Sequence, residues 1–157
     1  MDQLSSWMVR ISLCWLLTGF VFGAMMMADS KLDGAWRIWM GPTHGHMLFV
    51  GWFLQFTLGI AFWLLPRVRT PDRPLGYRER LALGAVVLLN VGLLLRAVAE
   101  SAQRSGHDAG WTDDALIVSG IAQVVAATIF IIELWPRAAA RQRRRAASTS
   151  SSATVGR

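Results

Sequence analysis

The sequence predicts an all-α chain, an integral membrane four-helix bundle with both termini in the cytoplasm. Three observations predict it. Of 157 residues, 54% are hydrophobic and only 17% charged, and the mean hydropathy is +0.38, more apolar surface than one small soluble core can hide. The apolar residues gather into four runs, each long enough to cross a bilayer as a helix rising about 1.5 Å per residue. The arginines collect in two of the segments that flank these runs, as membrane topology requires.

The first span is expected over Trp7 to Ala28, with Arg10 near its start extending its head group to the interface. It starts close to the N-terminus, yet it has no strongly basic leader, and Met25 to Met27 replaces the small residues of a cleavage site, so it reads as retained. Within it Gly19 and Gly23 have the small-xxx-small spacing that lets helices approach closely. A mixed-charge loop with Asp29, Lys31, Asp33 and Arg37 follows, and Trp36 and Trp39 suit an interfacial belt. The second span opens at His44 and closes at Leu65, where Pro66 should stop or kink the helix. A Pro-rich connector from Arg67 to Arg80 carries five arginines against Asp72 and Glu79.

The third span is Leu81 to Ala99, holding Asn90 near its middle and Arg96 near its far end. An acidic loop from Glu100 to Asp114 leads to the fourth span, Ala115 to Trp135, closed by Pro136. Residues 1–136 thus form the bundle. Residues 137–157 form a basic, Ser/Thr/Ala-rich cytoplasmic tail expected to lack regular structure. A formal charge of +6 raises the question of nucleic acid, but the arginines sit at the ends of spans, so lipid rather than nucleic acid is the expected contact. Cys14 has no partner cysteine and forms no intramolecular disulfide.

With the basic connector and tail inside, four alternating spans place His44, His46 and His107 on the outer side of what is expected to be a bacterial inner membrane. Histidines at the mouth of an apolar span are costly unless paired or ligating. Residues two apart on a helix point to nearly opposite sides, so His44 and His46 cannot both face one partner. His44 shares its face with Met47, Leu48, Gly51, Gln55, Leu58, Gly59 and Phe62, and this face is expected to turn inward. Its glycines leave a smooth surface for a flat ring or another backbone, and Gln55 needs an internal hydrogen-bond partner. The face led by His46, with Phe49, Phe53 and Leu64, is bulky and suits lipid or a neighbouring protein.

An imidazole at the end of an apolar helix is a good axial ligand for haem iron, and Arg96 could pair with a haem propionate or, more simply, with Glu100. A copper or zinc site from His44, His46 and His107 is chemically open, since imidazole suits both ions. A third reading has no cofactor: an accessory or structural subunit of a larger respiratory or photosynthetic membrane complex. No nucleophile, acid/base pair or phosphate loop points to catalysis.

His44-Gly-His-Met-Leu-Phe-Val-Gly51-Trp52, followed by Gly59-Ile-Ala-Phe-Trp-Leu-Leu-Pro66-Arg67, resembles the second transmembrane helix of heme-copper oxidase subunit I. It is closer still to the small four-span relatives of that subunit and to NnrS-type membrane haem proteins. The third-span Leu95-Arg96-Ala97 also resembles those small relatives. The resemblance implies haem b, with His44 in the position of the low-spin haem ligand and His46 matching the second histidine of the NnrS-type pattern. It implies electron transfer or a redox function linked to nitric oxide or oxygen. Four spans lack the later helices that carry the remaining ligands, so a complete oxidase or reductase centre is not expected in one chain. A second haem ligand has to be His46, His107 or a residue of another protomer, which favours a homo-oligomer.

Overall fold

The computed structural model describes residues 1–28, 36–71, 73–107 and 110–155, with side chains at 1–28, 37–71, 73–107 and 110–139. Asp29, Lys31, Asp33, Asp72 and Asp108, and the side chains of Trp36 and of the tail arginines from Arg141 onward, lie outside the described residues. Among the described residues there are four helices and no strand, and a bridge between Thr70 and Arg73 is isolated.

Helix α1 is Gln3–Met27, started by Asp2, whose Oδ1 accepts from the Ser5 backbone N–H at 2.9 Å, as an N-cap does. Helix α2 is one continuous rod in three parts: α-helical Trp36–His46, π-helical Met47–Leu54 and α-helical Gln55–Leu64. It therefore begins inside the segment expected as a loop. It ends before Pro66, where the sequence sets the stop. The π turn starts one residue after His46, whose Nδ1 lies 2.9 Å from the Pro42 carbonyl, the acceptor that the backbone N–H of residue 46 uses in α geometry. A side chain thus competes for the ladder where the ladder changes.

Helix α3 is Glu79–Arg104 and helix α4 is Trp111–Val155. Pro136 does not end α4 as expected: the backbone stays helical through it and on through the tail to Val155. Proline removes only its own N–H and strains one carbonyl, and Arg137 beside it is anchored to the end of α2, which holds the chain on its helical path.

All four helices are long and apolar enough to cross a bilayer. Most of each apolar window faces outward, and Leu17, Phe20, Val87, Leu94, Val124 and Ile131 stand exposed. The helices pack as two hairpins, α1 along α2 and α3 along α4, which meet mainly where Trp36–His46 crosses α3. Inside, Leu4, Met8, Phe62, Tyr77, Val86, Leu89 and Phe130 form the main apolar cluster.

Gly51 shows what sets the α1–α2 distance. A Cβ built there would lie 2.6 Å from Trp15 Cγ and 2.9 Å from Leu93 Cδ2. Gly51→Ala should therefore lower stability by about 1–3 kcal/mol despite the better helix former. Gly45→Ala, where a Cβ meets nothing within 4 Å, should be neutral or stabilising by up to about 1 kcal/mol. Thermal unfolding of the two variants in detergent checks the contrast.

Candidate functional site

His44 lies in the first part of α2 and reaches α1. Its Nδ1 is 2.8 Å from the Gly19 carbonyl oxygen. A carbonyl only accepts, so Nδ1 carries the proton and donates, and in the neutral ring Nε2 keeps its lone pair. Nε2 makes no hydrogen bond among the described residues. The ring fits there because Gly23 has no side chain: a Cβ at Gly23 would lie 3.0 Å from His44 Cε1, and one at Gly19 would lie 2.5 Å from Leu48 Cδ2. The Gly19/Gly23 pair thus receives Leu48 and His44 from α2. His44 lines an open cavity of about 670 Å³ with Phe20, Gly23, Ala24, Met26, Met27 and Arg37. Arg37 is held by its Nε–H to the Met26 carbonyl at 3.0 Å.

Met47, Gly51, Gln55, Gly59 and Phe62, on the same face as His44, are all buried. This face turns inward, but its smooth surface is covered by α1 rather than left for a flat ring. Trp15 fills the space over Gly51, and Met8 Cβ lies 3.0 Å from a Cβ built at Gly59. Gln55 donates to the Met8 carbonyl at 3.3 Å and accepts from Asn90 Nδ2 at 2.9 Å. Asn90 in turn accepts from Trp15 Nε1 at 2.7 Å and donates to the Val86 carbonyl. These three side chains tie α1, α2 and α3 together at mid-bundle, so Gly51, Gln55 and Gly59 serve packing here. Asn90→Leu should lower stability by about 1–2 kcal/mol, read by thermal unfolding, because Trp15 and Gln55 each lose a partner.

The other predicted residues go elsewhere. Arg96 takes its simpler role: its Nε lies 3.5 Å from Glu100, one turn on. Arg104 approaches the same carboxylate at 3.9 Å and His46 Nδ1 at 4.0 Å. His46 is thus turned toward α3, away from the cavity at His44. The His107 Nδ1 is 3.1 Å from Ser105 Oγ in the turn after α3. The copper or zinc grouping of His44, His46 and His107 is not assembled. Among the described residues no cluster of three or more His, Cys, Asp or Glu is placed to hold a metal ion.

At the opposite end of the bundle is a buried polar cluster that the sequence reading missed. Arg137, fully buried, donates to the carbonyls of Phe62 at 2.8 Å, Leu65 at 2.7 Å and Pro66 at 3.2 Å. These are the orphan acceptors at the C-terminus of α2. Its guanidinium also stands 5.7 Å from the ring centres of Phe62 and Tyr77. One turn earlier, buried Glu133 accepts from Arg78 N at 3.0 Å and from Arg78 Nε at 3.0 Å, capping the start of α3. Burial, with the charges of Asp2 and Glu79 adding to it, pushes the Tyr77 phenol well above its ordinary value, so it stays protonated at neutral pH. A carboxylate inside an apolar run was the available signal. Arg137→Met should cost roughly 3 kcal/mol, since it leaves three carbonyls unpaired, whereas exposed Arg80→Met should cost little. Denaturation midpoints of the two variants measure the difference.

No family model, curated protein or solved structure matches this chain. The class defined by fold and site is an all-helical chain with four potential membrane-spanning helices and a histidine exposed to a cavity at one end of the bundle.

Proposed function

We propose that the chain is a multi-pass protein of a bacterial inner membrane that binds haem b through His44 and uses it for electron transfer or for a redox function linked to nitric oxide or oxygen. One observation carries the reading: the Gly19 carbonyl accepts a hydrogen bond from the Nδ1–H of His44, a bond that orients an imidazole and makes its Nε2 a better ligand. The cavity beside it is apolar and within the size range of cofactor sites. Arg37 in that cavity is the cation that suits a carboxylate there, in place of Arg96, which is engaged by Glu100. Haem bound at His44 would supply one-electron chemistry, and the chain's part is to fix the ring, its tautomer and an apolar wall.

The termini belong in the cytoplasm, because Arg67, Arg69, Arg73, Arg78 and Arg80 all lie at the end of the bundle that holds Asp2 and Arg137. His46 and His107 are engaged away from the cavity, so a second histidine has to come from a second copy, and the working form is a homo-oligomer.

Protein purified in detergent should show a Soret band and sharp α and β bands on reduction. His44→Ala should abolish them, while His46→Ala and Arg96→Ala should keep them. Colourless, metal-free wild-type protein would overturn the reading in favour of an accessory subunit. Low-spin haem in a monodisperse monomer would overturn the shared ligand and point to Met26 or Met27, whose side chains line the same cavity.

A further inference from the structure

Where the two hairpins part, α2 and α4 leave an open cleft of about 610 Å³. Helix α2 lines it with Val50, Leu54 and Leu58, and α4 with a stripe that includes Gln123, Ala127, Leu134 and Ala138. Of the lining residues only Gln123 and Trp135 carry a polar side-chain atom, and Gln123 turns its Nε2 back to Ser119 Oγ at 3.1 Å. From Gln123 to Ala138 the helix rises roughly 22 Å. Half a bilayer, from midplane to headgroups, is roughly 20 Å thick. The cleft starts near the middle of the apolar stretch Trp111–Ala139 and ends beside Trp135, an exposed residue of the type that marks an interface. It is as deep as one leaflet.

An apolar lining does not hold water, and a void would forfeit the dispersion contacts of its walls. The occupant is therefore apolar along the cleft, and charge sets what it carries at the end. Beyond Ala138 the same helix has arginine at positions 141, 143, 144 and 145, and no acid follows Glu133 in the sequence. Glu133 itself is committed to Arg78. The end of α2 is held beside Arg137 through the Pro66 carbonyl, and Arg67 and exposed Arg69 come directly after it. A second copy laying its own α4 in parallel along the cleft would bring the same arginines against these, like charge to like. A phosphodiester anion pairs with guanidinium instead.

We propose that the cleft between α2 and α4 binds an acyl chain of one anionic phospholipid. The chain lies from Gln123 to Ala138, and the headgroup phosphate sits among the arginines that follow Pro66 and Ala138. The lipid supplies the wall that the two hairpins do not give each other there. A zwitterionic lipid offers the same chain without net charge, so the arginines make the cleft selective for the headgroup. This inference is independent of haem at His44, whose cavity lies at the other end of the bundle.

Native mass spectrometry of the full chain in detergent tests it, with phosphatidylglycerol and phosphatidylcholine of identical acyl chains titrated separately. One phosphatidylglycerol per chain should be retained at a concentration about tenfold below that needed for phosphatidylcholine, since each arginine near the headgroups is worth on the order of fivefold. Ala127→Phe, which fills the cleft from an exposed position, should abolish retention, while Val125→Phe, exposed and outside the cleft, should keep it. Arg141→Gln, Arg143→Gln, Arg144→Gln and Arg145→Gln together should remove most of the preference between the two lipids. Equal retention of both lipids by the wild type, or unchanged retention in Ala127→Phe, overturns the proposal. So does a dimer that excludes lipid and comes apart in Ala127→Phe, which would put a second copy in the cleft. Should Ala127→Phe fail to elute as a folded species, phosphatidylglycerol with a photoreactive group on its acyl chain decides on the wild type. Crosslinks concentrated at residues 50–58 and 124–134 are the expected result, and labelling spread equally onto exposed Val87 and Val91 of α3 is the contrary one.

Discussion

A helix that crosses a bilayer cannot hand its polar groups to water, so each one has to be paired inside the protein or left at a cost of several kcal/mol. The four helices here are long and apolar enough to fall under that constraint, and their buried polar side chains are paired in keeping with it. At mid-bundle, Trp15, Asn90 and Gln55 complete one another and end on the Met8 and Val86 carbonyls. At one end Arg137 collects the carbonyls that Pro66 leaves unpaired when α2 stops. Side-chain size alone would let apolar helices rotate and slide past one another. The polar pairs and the close approach at Gly51 set their register.

The same constraint shapes the histidine end. His44 satisfies one ring nitrogen with a carbonyl of the neighbouring helix, and the missing side chains of Gly19 and Gly23 make room for that contact. The arrangement solves a packing problem, and it also leaves an imidazole oriented through its Nδ1 at the wall of a cavity. His46, two residues on, is turned to Glu100 on α3 and takes no part. The divergence follows from helical geometry, and it separates one candidate ligand from a pair that the sequence presents side by side.

The four helices, the end of α2 before Pro66 and the inward face carrying Gly51, Gln55 and Gly59 were legible in the sequence, because apolar run length, proline and helical spacing are local signals. The need of Gln55 for a partner was legible too, but its identity was not, since Asn90 and Met8 are brought to it by packing across three helices. The ion pair of Arg96 with Glu100 could be read from its spacing of four. The π segment Met47–Leu54 could not, because it depends on how a side chain competes for one carbonyl. Pro136 misled for a related reason: proline marks a break only where nothing holds the chain beyond it, and the anchoring of Arg137 on α2 is a tertiary fact. Glu133 inside an apolar run was a signal that the cluster exists, but its partner Arg78 and the α2 carbonyls that hold Arg137 are brought to α4 only by packing.

The claim on which the account turns is the state of one imidazole. Nitrogen-15 NMR of histidine-labelled protein without added haem, in detergent or lipid at neutral pH, reads it directly, with His44→Ala supplying the assignment. The account predicts a neutral His44 with its proton on Nδ1, correlated to a hydrogen-bonded carbonyl, and a bare, pyridine-like Nε2. A proton on Nε2, or a doubly protonated ring, would contradict it, because the ring would then lack the free lone pair that a ligand to iron requires.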